Sequence, residues 1–223
     1  MVKIIKYNNK SGFVKLVNFL KHRRNFNIAE IDLVKKIIED VKKNKLKALI
    51  KYEKRYSKNN QIKVSKNKID ILIKQLDKNV KSAIDFSYER IFKFHKLQTK
   101  NLKSVKLIDK YKNKLEYKTV PIDSVGVYVP GNLPSTLLMN CIPCKIAQVK
   151  RIVLAVPKIK NKLNPAILYA AKKLGISEIY SMGGAQAIAS LAFIQKVNKV
   201  IGPGNKYVSE AKRQLSGKVL GTE

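Results

Sequence analysis

Val125-Gly126-Val127-Tyr128-Val129 is an unbroken apolar run that halts at Pro130-Gly131, and its reading decides the fold. A run this short without polar alternation predicts a strand buried on both faces, and the Pro-Gly pair predicts a turn leaving it. A helical segment follows. Ser135 or Thr136 is expected to cap it, because a short side-chain oxygen accepts from the unpaired N–H groups of a first turn. Leu137, Leu138, Cys141, Ile142, Ile146 and Val149 then fall at helical spacing, with Lys145 as the polar interruption.

The same unit repeats three times. Arg151–Val156 is a second short apolar strand closed by Pro157, and Asn164-Pro165 sets a capping side chain before a proline at the first helical position. Ile167, Leu168, Ala171 and Leu174 line that helix, and Gly175 is placed to end it in a left-handed conformation. Glu178–Met182 is the third strand, running into Gly183-Gly184-Ala185-Gln186 and an Ala-rich helix that ends near Phe193. Lys199–Ile201 is the fourth, followed by Gly202-Pro203-Gly204-Asn205 and a helix from Tyr207 to Leu215.

Short unalternating strands, each followed by a helix, predict an α/β fold with a parallel sheet covered on both faces. Right-handed crossovers place every strand-to-helix loop at one edge of such a sheet, where ligands of open α/β sheets bind. Tyr128, Gly183-Gly184 with Gln186, and the Gly202–Asn205 turn are therefore expected on one rim. The plainer reading is that these glycines only make tight turns. No G-x-G-x-x-G occurs, so a standard dinucleotide fingerprint gives no support.

Four motifs in order, Val125–Gly131, Pro134-Ser135-Thr136 with Leu138-Met139-Asn140, Gly183–Ala189, and Gly202–Asn205 followed by Glu210-Ala211-Lys212-Arg213, together resemble the histidinol dehydrogenase family. The likeness is dense over residues 121–215 and thinner over roughly residues 29–98. It implies a Rossmann-like domain that holds NAD, with Tyr128, Gln186 and Asn205 as cofactor contacts. It also implies oxidation of L-histidinol through histidinal to L-histidine, with two NAD and a bound zinc, in a homodimer; the absence of an apolar signal core makes a cytoplasmic location the default expectation. Side-chain chemistry agrees in kind: a phenol can stack on or bond a cofactor, and amides offer donors and acceptors to ribose and phosphate oxygens.

Two loops, Gly131–Pro134 and the link from Phe193 through Lys196, are shorter than the family pattern. The family's zinc ligands, a Gln, two His and an Asp, and its Glu-His proton-transfer pair correspond to positions beyond Glu223. The resemblance therefore implies no catalytic residue and no metal ligand in this sequence. The expectation is a chain that is inactive alone, or half of a split enzyme completed by a C-terminal fragment.

The 223 residues carry a formal net charge of +32, which at face value points to nucleic acid or an anionic surface. The excess is spread along the chain: residues 121–223 hold 14 basic and 4 acidic side chains, residues 1–120 the other 33 and 11. Lysine far outnumbers arginine and there is no tryptophan, so the aromatic-basic interleaving of a single-strand binder is missing. A basic nucleic-acid-binding or scaffold protein remains the alternative function. Cys141 and Cys144 form C-x-x-C at i and i+3 inside the apolar helix, where packing as small hydrophobes is expected. A zinc site would need a second pair, and a redox pair would sit at a helix start. No run of about 18 apolar residues predicts a membrane span, and Met1–Tyr7 lacks an apolar signal core.

Before the sheet, residues 1–118 are expected to form a mainly helical region, and residues 119–223 the Rossmann-like α/β domain. Val2–Tyr7 suggests a short strand, and Phe13, Leu16, Val17, Phe19 and Leu20 a helix. Ala29–Tyr56 reads helical with a break at Asn44. Ser65 is expected to cap one long helix whose stripe runs from Ile69 to Phe94. His95 at its end reads as a structural or surface residue, and His22 has no partner in view. Residues 99–118 alternate weakly, as a hairpin or an irregular connection would.

Overall fold

The computed structural model describes residues 10–24, 28–99, 104–217 and 221–222; the strand expected at Val2–Tyr7 lies outside them. The chain divides into two compact units, residues Met1–Leu33 and Val34–Glu223. Helix α1 (Lys10–Arg24) belongs to the first and covers the helix expected around Phe13–Leu20.

The second unit contains most of α2 (Ile28–Ser57), then α3 (Lys66–Lys74), α4 (Lys78–Gln98) and an antiparallel hairpin of β1 (Val105–Ile108) and β2 (Lys114–Tyr117). The alternating part follows: β3 (Ser124–Tyr128), α5 (Pro134–Ile146), β4 (Arg151–Ala155), α6 (Pro165–Lys173), β5 (Glu178–Tyr180), α7 (Gly184–Phe193), β6 (Lys199–Ile201), α8 (Lys206–Leu215) and the two-residue β7 (Gly221–Thr222). Strand order is β5-β4-β3-β6-β7, every pair parallel.

The pleat divides the core. Val125, Val127 and Val129 of β3 and its exit, with Ile152 and Leu154 of β4, face a cluster built by α3, α4, α5 and α6. Tyr128, Val153 and Ala155 face the opposite cluster of α2, α7 and α8. Both faces are covered, which is why the strands read as continuous apolar runs. The outer side of β5 is also covered: Val64 N donates to Ile179 O (3.0 Å) and Ser181 N to Ile62 O (2.6 Å), so residues 62–64 pair with an otherwise open edge.

Three local expectations change. Helix α5 begins at Pro134, with Leu133 in the cap position and no side-chain cap, so neither Ser135 nor Thr136 caps it. Proline's fixed φ suits the first helical position, and this starts the helix ahead of both hydroxyls. The long helix after Ser65 is two helices. Ser65 does cap α3, accepting from Lys68 N, but the chain breaks at Gln75 and restarts where Asp77 accepts from Asn79 N and Val80 N. An aspartate three residues before Val80 of the stripe was the overlooked signal. In α2 the break falls at Lys45 (φ 48°), one residue past Asn44. Asn164 caps α6 as expected, accepting from Ala166 N, and Gly175 is left-handed at φ 70°.

Candidate functional site

From β3 the chain steps through α5 to β4 and through α6 to β5, with both helices on one face. To reach β6 on the other side of β3 it crosses by α7 on the opposite face. The direction of winding therefore reverses between β3 and β6. In open α/β sheets the crevice outside the strand ends at such a reversal is where ligands lie. A cavity of about 670 Å³ runs along the α5 side of β3 and β6, from Pro121, Val125 and Lys199 at the strand starts to the Gly202–Gly204 turn, and Tyr128, Gln186 and Asn205 do not line it.

Tyr128, the last residue of β3, is buried, and its phenol oxygen accepts from the Gly184 N–H at the start of α7. Gln186, in the first turn of α7, is also buried. Its Nε2 donates to Glu53 Oε1 at 2.8 Å, and the same oxygen accepts the Gly183 N–H at 2.8 Å. Glu53 projects from α2 with 1% of its surface exposed. Burial pushes its carboxyl above the ordinary range, opposed by the Gly183 and Gln186 bonds and by Ser57 and Asn59. Burial likewise raises the Tyr128 phenol, and the nearby Glu53 charge adds to the effect.

Sequence reasoning named Gln186 and the Gly183-Gly184 loop but missed Glu53 and Asn59. Asn59, 1% exposed, donates to Ser181 O (2.7 Å) and accepts from Lys158 Nζ (2.6 Å) and Gln61 N (3.1 Å). One signal was present. Leu49, Tyr52 and Glu53 stand at i, i+3 and i+4 on the buried stripe of α2, so a carboxylate interrupts a core face. A buried charge of that kind must find donors, and here they come from the β5–α7 loop.

Asn205 is exposed and caps α8, its Oδ1 accepting from Val208 N at 3.1 Å. The turn leading to it packs on Tyr128. Gly202 has φ 105°, and a Cβ there would lie 2.0 Å from the Tyr128 carbonyl oxygen. The structure thus joins Tyr128 and Gln186 in one buried network and sets Asn205 three residues beyond a direct backbone contact with Tyr128. The rim glycines are accounted for largely by chain packing. A Cβ would meet Pro157 O at Gly131, the Pro157 ring at Gly183 and Val208 at Gly204, each within 3.0 Å.

Among the described residues no three His, Cys, Asp or Glu side chains come together to hold a metal. Cys141 and Cys144 are buried in α5 as core residues, with Cys144 Sγ donating to Asn140 O. His95 is half-buried, its Nδ1 2.7 Å from Gln98 Oε1. No helix among the described residues is long and apolar enough to cross a membrane.

Residues 21–221 match the family model described as histidinol dehydrogenase. The chain is 50% identical over 226 residues to the histidinol dehydrogenase of Pelagibacter ubique, covering 98% of this chain and 52% of that protein. It is 42% identical over 201 residues to that of Campylobacter jejuni strain RM1221, covering 85% of this chain and 45% of the relative. The crystal structure of histidinol dehydrogenase from Elizabethkingia anophelis superposes with a TM-score of 0.82 at 33% identity, covering 90% of this chain and 48% of that one. The chain spans about half the length of the curated relatives it matches.

Proposed function

Because the chain belongs to the histidinol dehydrogenase family, we propose that it supplies the nucleotide-holding part of an enzyme that oxidises L-histidinol to L-histidine with NAD. In this reading residues 119–223 hold the cofactor and residues 1–118 support them. The assembly is a cytoplasmic homodimer, or this chain together with a complementary polypeptide.

The observation that carries the reading is the Tyr128–Gly184–Gln186–Glu53 cluster at the carboxyl ends of β3 and β5, beside the Gly202–Asn205 turn. The remaining valences fit ribose hydroxyls and an adjoining phosphate oxygen. Gln186 spends its Nε2 on Glu53, which leaves its Oε1 as the acceptor for a ribose hydroxyl. Asn205 spends its Oδ1 on Val208 and keeps an amide N–H₂, while Tyr128 accepts from Gly184 and keeps its phenol proton. NAD, when bound, supplies the hydride acceptor. These side chains bind and orient it. Zinc is assigned to no described residue, because no ligand set exists among them.

Calorimetric titration of the purified chain with NAD tests this. Gln186→Ala and Asn205→Asp, which retains the capping oxygen, should each weaken binding by roughly tenfold, the loss of one or two hydrogen bonds. The 223 residues alone should not reduce NAD with histidinol and zinc, and a separately produced polypeptide matching the other half of the relatives should restore turnover. Wild-type protein that ignores millimolar NAD would overturn the reading, as would binding unchanged in both variants.

A further inference from the structure

A second cavity, about 530 Å³, lies on the α5–α6 face of the same rim, between α3, the Gly131-Asn132 turn and the loop from Lys158 to Pro165. Lys68, Lys158 and Lys162 line it together with the amides Gln75, Asn132, Asn161 and Asn164. No carboxylate among the described residues lies at ion-pair distance from any of the three lysines, although salt bridges form elsewhere on the chain. Instead Lys158 is held from behind, its Nζ 2.6 Å from the buried Asn59 Oδ1, and Lys68 Nζ reaches Gln61 Oε1 at 3.2 Å. Both lysines are half-buried. The Lys158 ammonium is pushed below its usual range by burial and by the Lys68 charge, with the Glu53 carboxylate behind Asn59 opposing in part.

Two cations drawn together on one cavity, each backed by a neutral amide, are held against their mutual repulsion, and an anion between them removes it. Helix α6 starts at this cavity, but Asn164 already caps it and Pro165 offers no N–H. The lysines must therefore do the holding. We propose that this cavity binds a diphosphate group through Lys158 and Lys68, with Lys162 at its mouth. An ammonium pair bridging phosphoryl oxygens suits that chemistry, and the lining amides Gln75, Asn132, Asn161 and Asn164 can offer donors to the remaining oxygens.

Two sources share this chemistry: the diphosphate bridge of a dinucleotide reaching over Pro157 from the Tyr128 side, or a free phosphorylated metabolite. Inorganic pyrophosphate titrated into the full chain separates them. Wild type should bind, Lys158→Met should lose about tenfold or more, and Lys68→Met several-fold. Lys110→Met, which removes the same charge from the exposed hairpin turn, should change nothing. Equal losses in the Lys110 and Lys158 variants would mean that only the diffuse +32 field attracts the anion, which overturns the site. Displacement of pyrophosphate by NAD but not by adenosine identifies the dinucleotide bridge. Lys158-dependent binding that NAD cannot displace supports the site with a free metabolite and counts against the cofactor reading. NAD binding that needs Gln186 but ignores Lys158, with no pyrophosphate binding, overturns the site and leaves that reading standing.

Discussion

Removing the Glu53 carboxylate tests the link between α2 and the candidate site. In Glu53→Ala the Gly183 N–H and the Gln186 Nε2 both lose an acceptor that now sits at 2.8 Å, in a place with almost no solvent access. A buried donor left unpaired costs about 1–3 kcal/mol, so two cost about 2–6 kcal/mol. The carboxylate's own burial penalty, recovered when it is removed, offsets part of this, and the net expectation is about 2–4 kcal/mol. For a chain of this size that is a Tm lower by roughly 5–15 °C. Glu53→Gln keeps an oxygen at the shared acceptor position and should cost about 1 kcal/mol.

The two variants also differ in pH response. Burial raises the Glu53 carboxyl above its ordinary 4.5 in the folded protein, so between 4.5 and the raised value the folded state binds more protons than the unfolded state. Stability from this group is therefore greatest in acid, falls as pH rises through that window, and is level above it. Glu53→Gln abolishes that slope. Urea denaturation followed by circular dichroism at a series of pH values reads both effects. A Glu53→Ala variant within about 1 kcal/mol of wild type would refute the bonding account. So would a Glu53→Gln variant as damaged as the alanine, since charge rather than the shared acceptor would then be responsible.

Two other outcomes follow from single positions. Gly202→Ala should destabilise by about 3 kcal/mol or more, because φ 105° and a Cβ 2.0 Å from the Tyr128 carbonyl leave no room; a variant that unfolds at the wild-type urea concentration would contradict the rim packing. Cys141 and Cys144 should resist a thiol reagent at neutral pH until the protein unfolds, since both are buried and burial pushes the Cys141 thiol well up. Rapid labelling of the native protein would show that α5 is not seated as described.

Much of the sheet was legible because its signals are local. Val125–Val129 and Ile152–Ala155 are apolar on both faces, Val200 and Ile201 continue the pattern after Lys199, and Asn164-Pro165 and Gly175 act on the turn of chain that contains them. The misses were also local but competitive. Pro134 and Ser135 both offered a helix start, and the proline's fixed φ won over the hydroxyl. At Asp77 the cap lay inside a stripe whose apolar period continues from Leu76 to Val80, so periodicity alone could not reveal the break.

The sequence by itself determined an α/β chain with a parallel sheet, its strand limits to within a residue or two, and the family, because repeated apolar runs and loop motifs are properties of neighbours along the chain. Only the tertiary structure decided that Glu53, 130 residues before Gly183, closes on the β5–α7 loop, and that Lys158 and Lys68 share a cavity. A buried carboxylate takes its donors from whatever the fold brings beside it. That choice depends on which helix packs on which strand end, and no spacing along the chain encodes it.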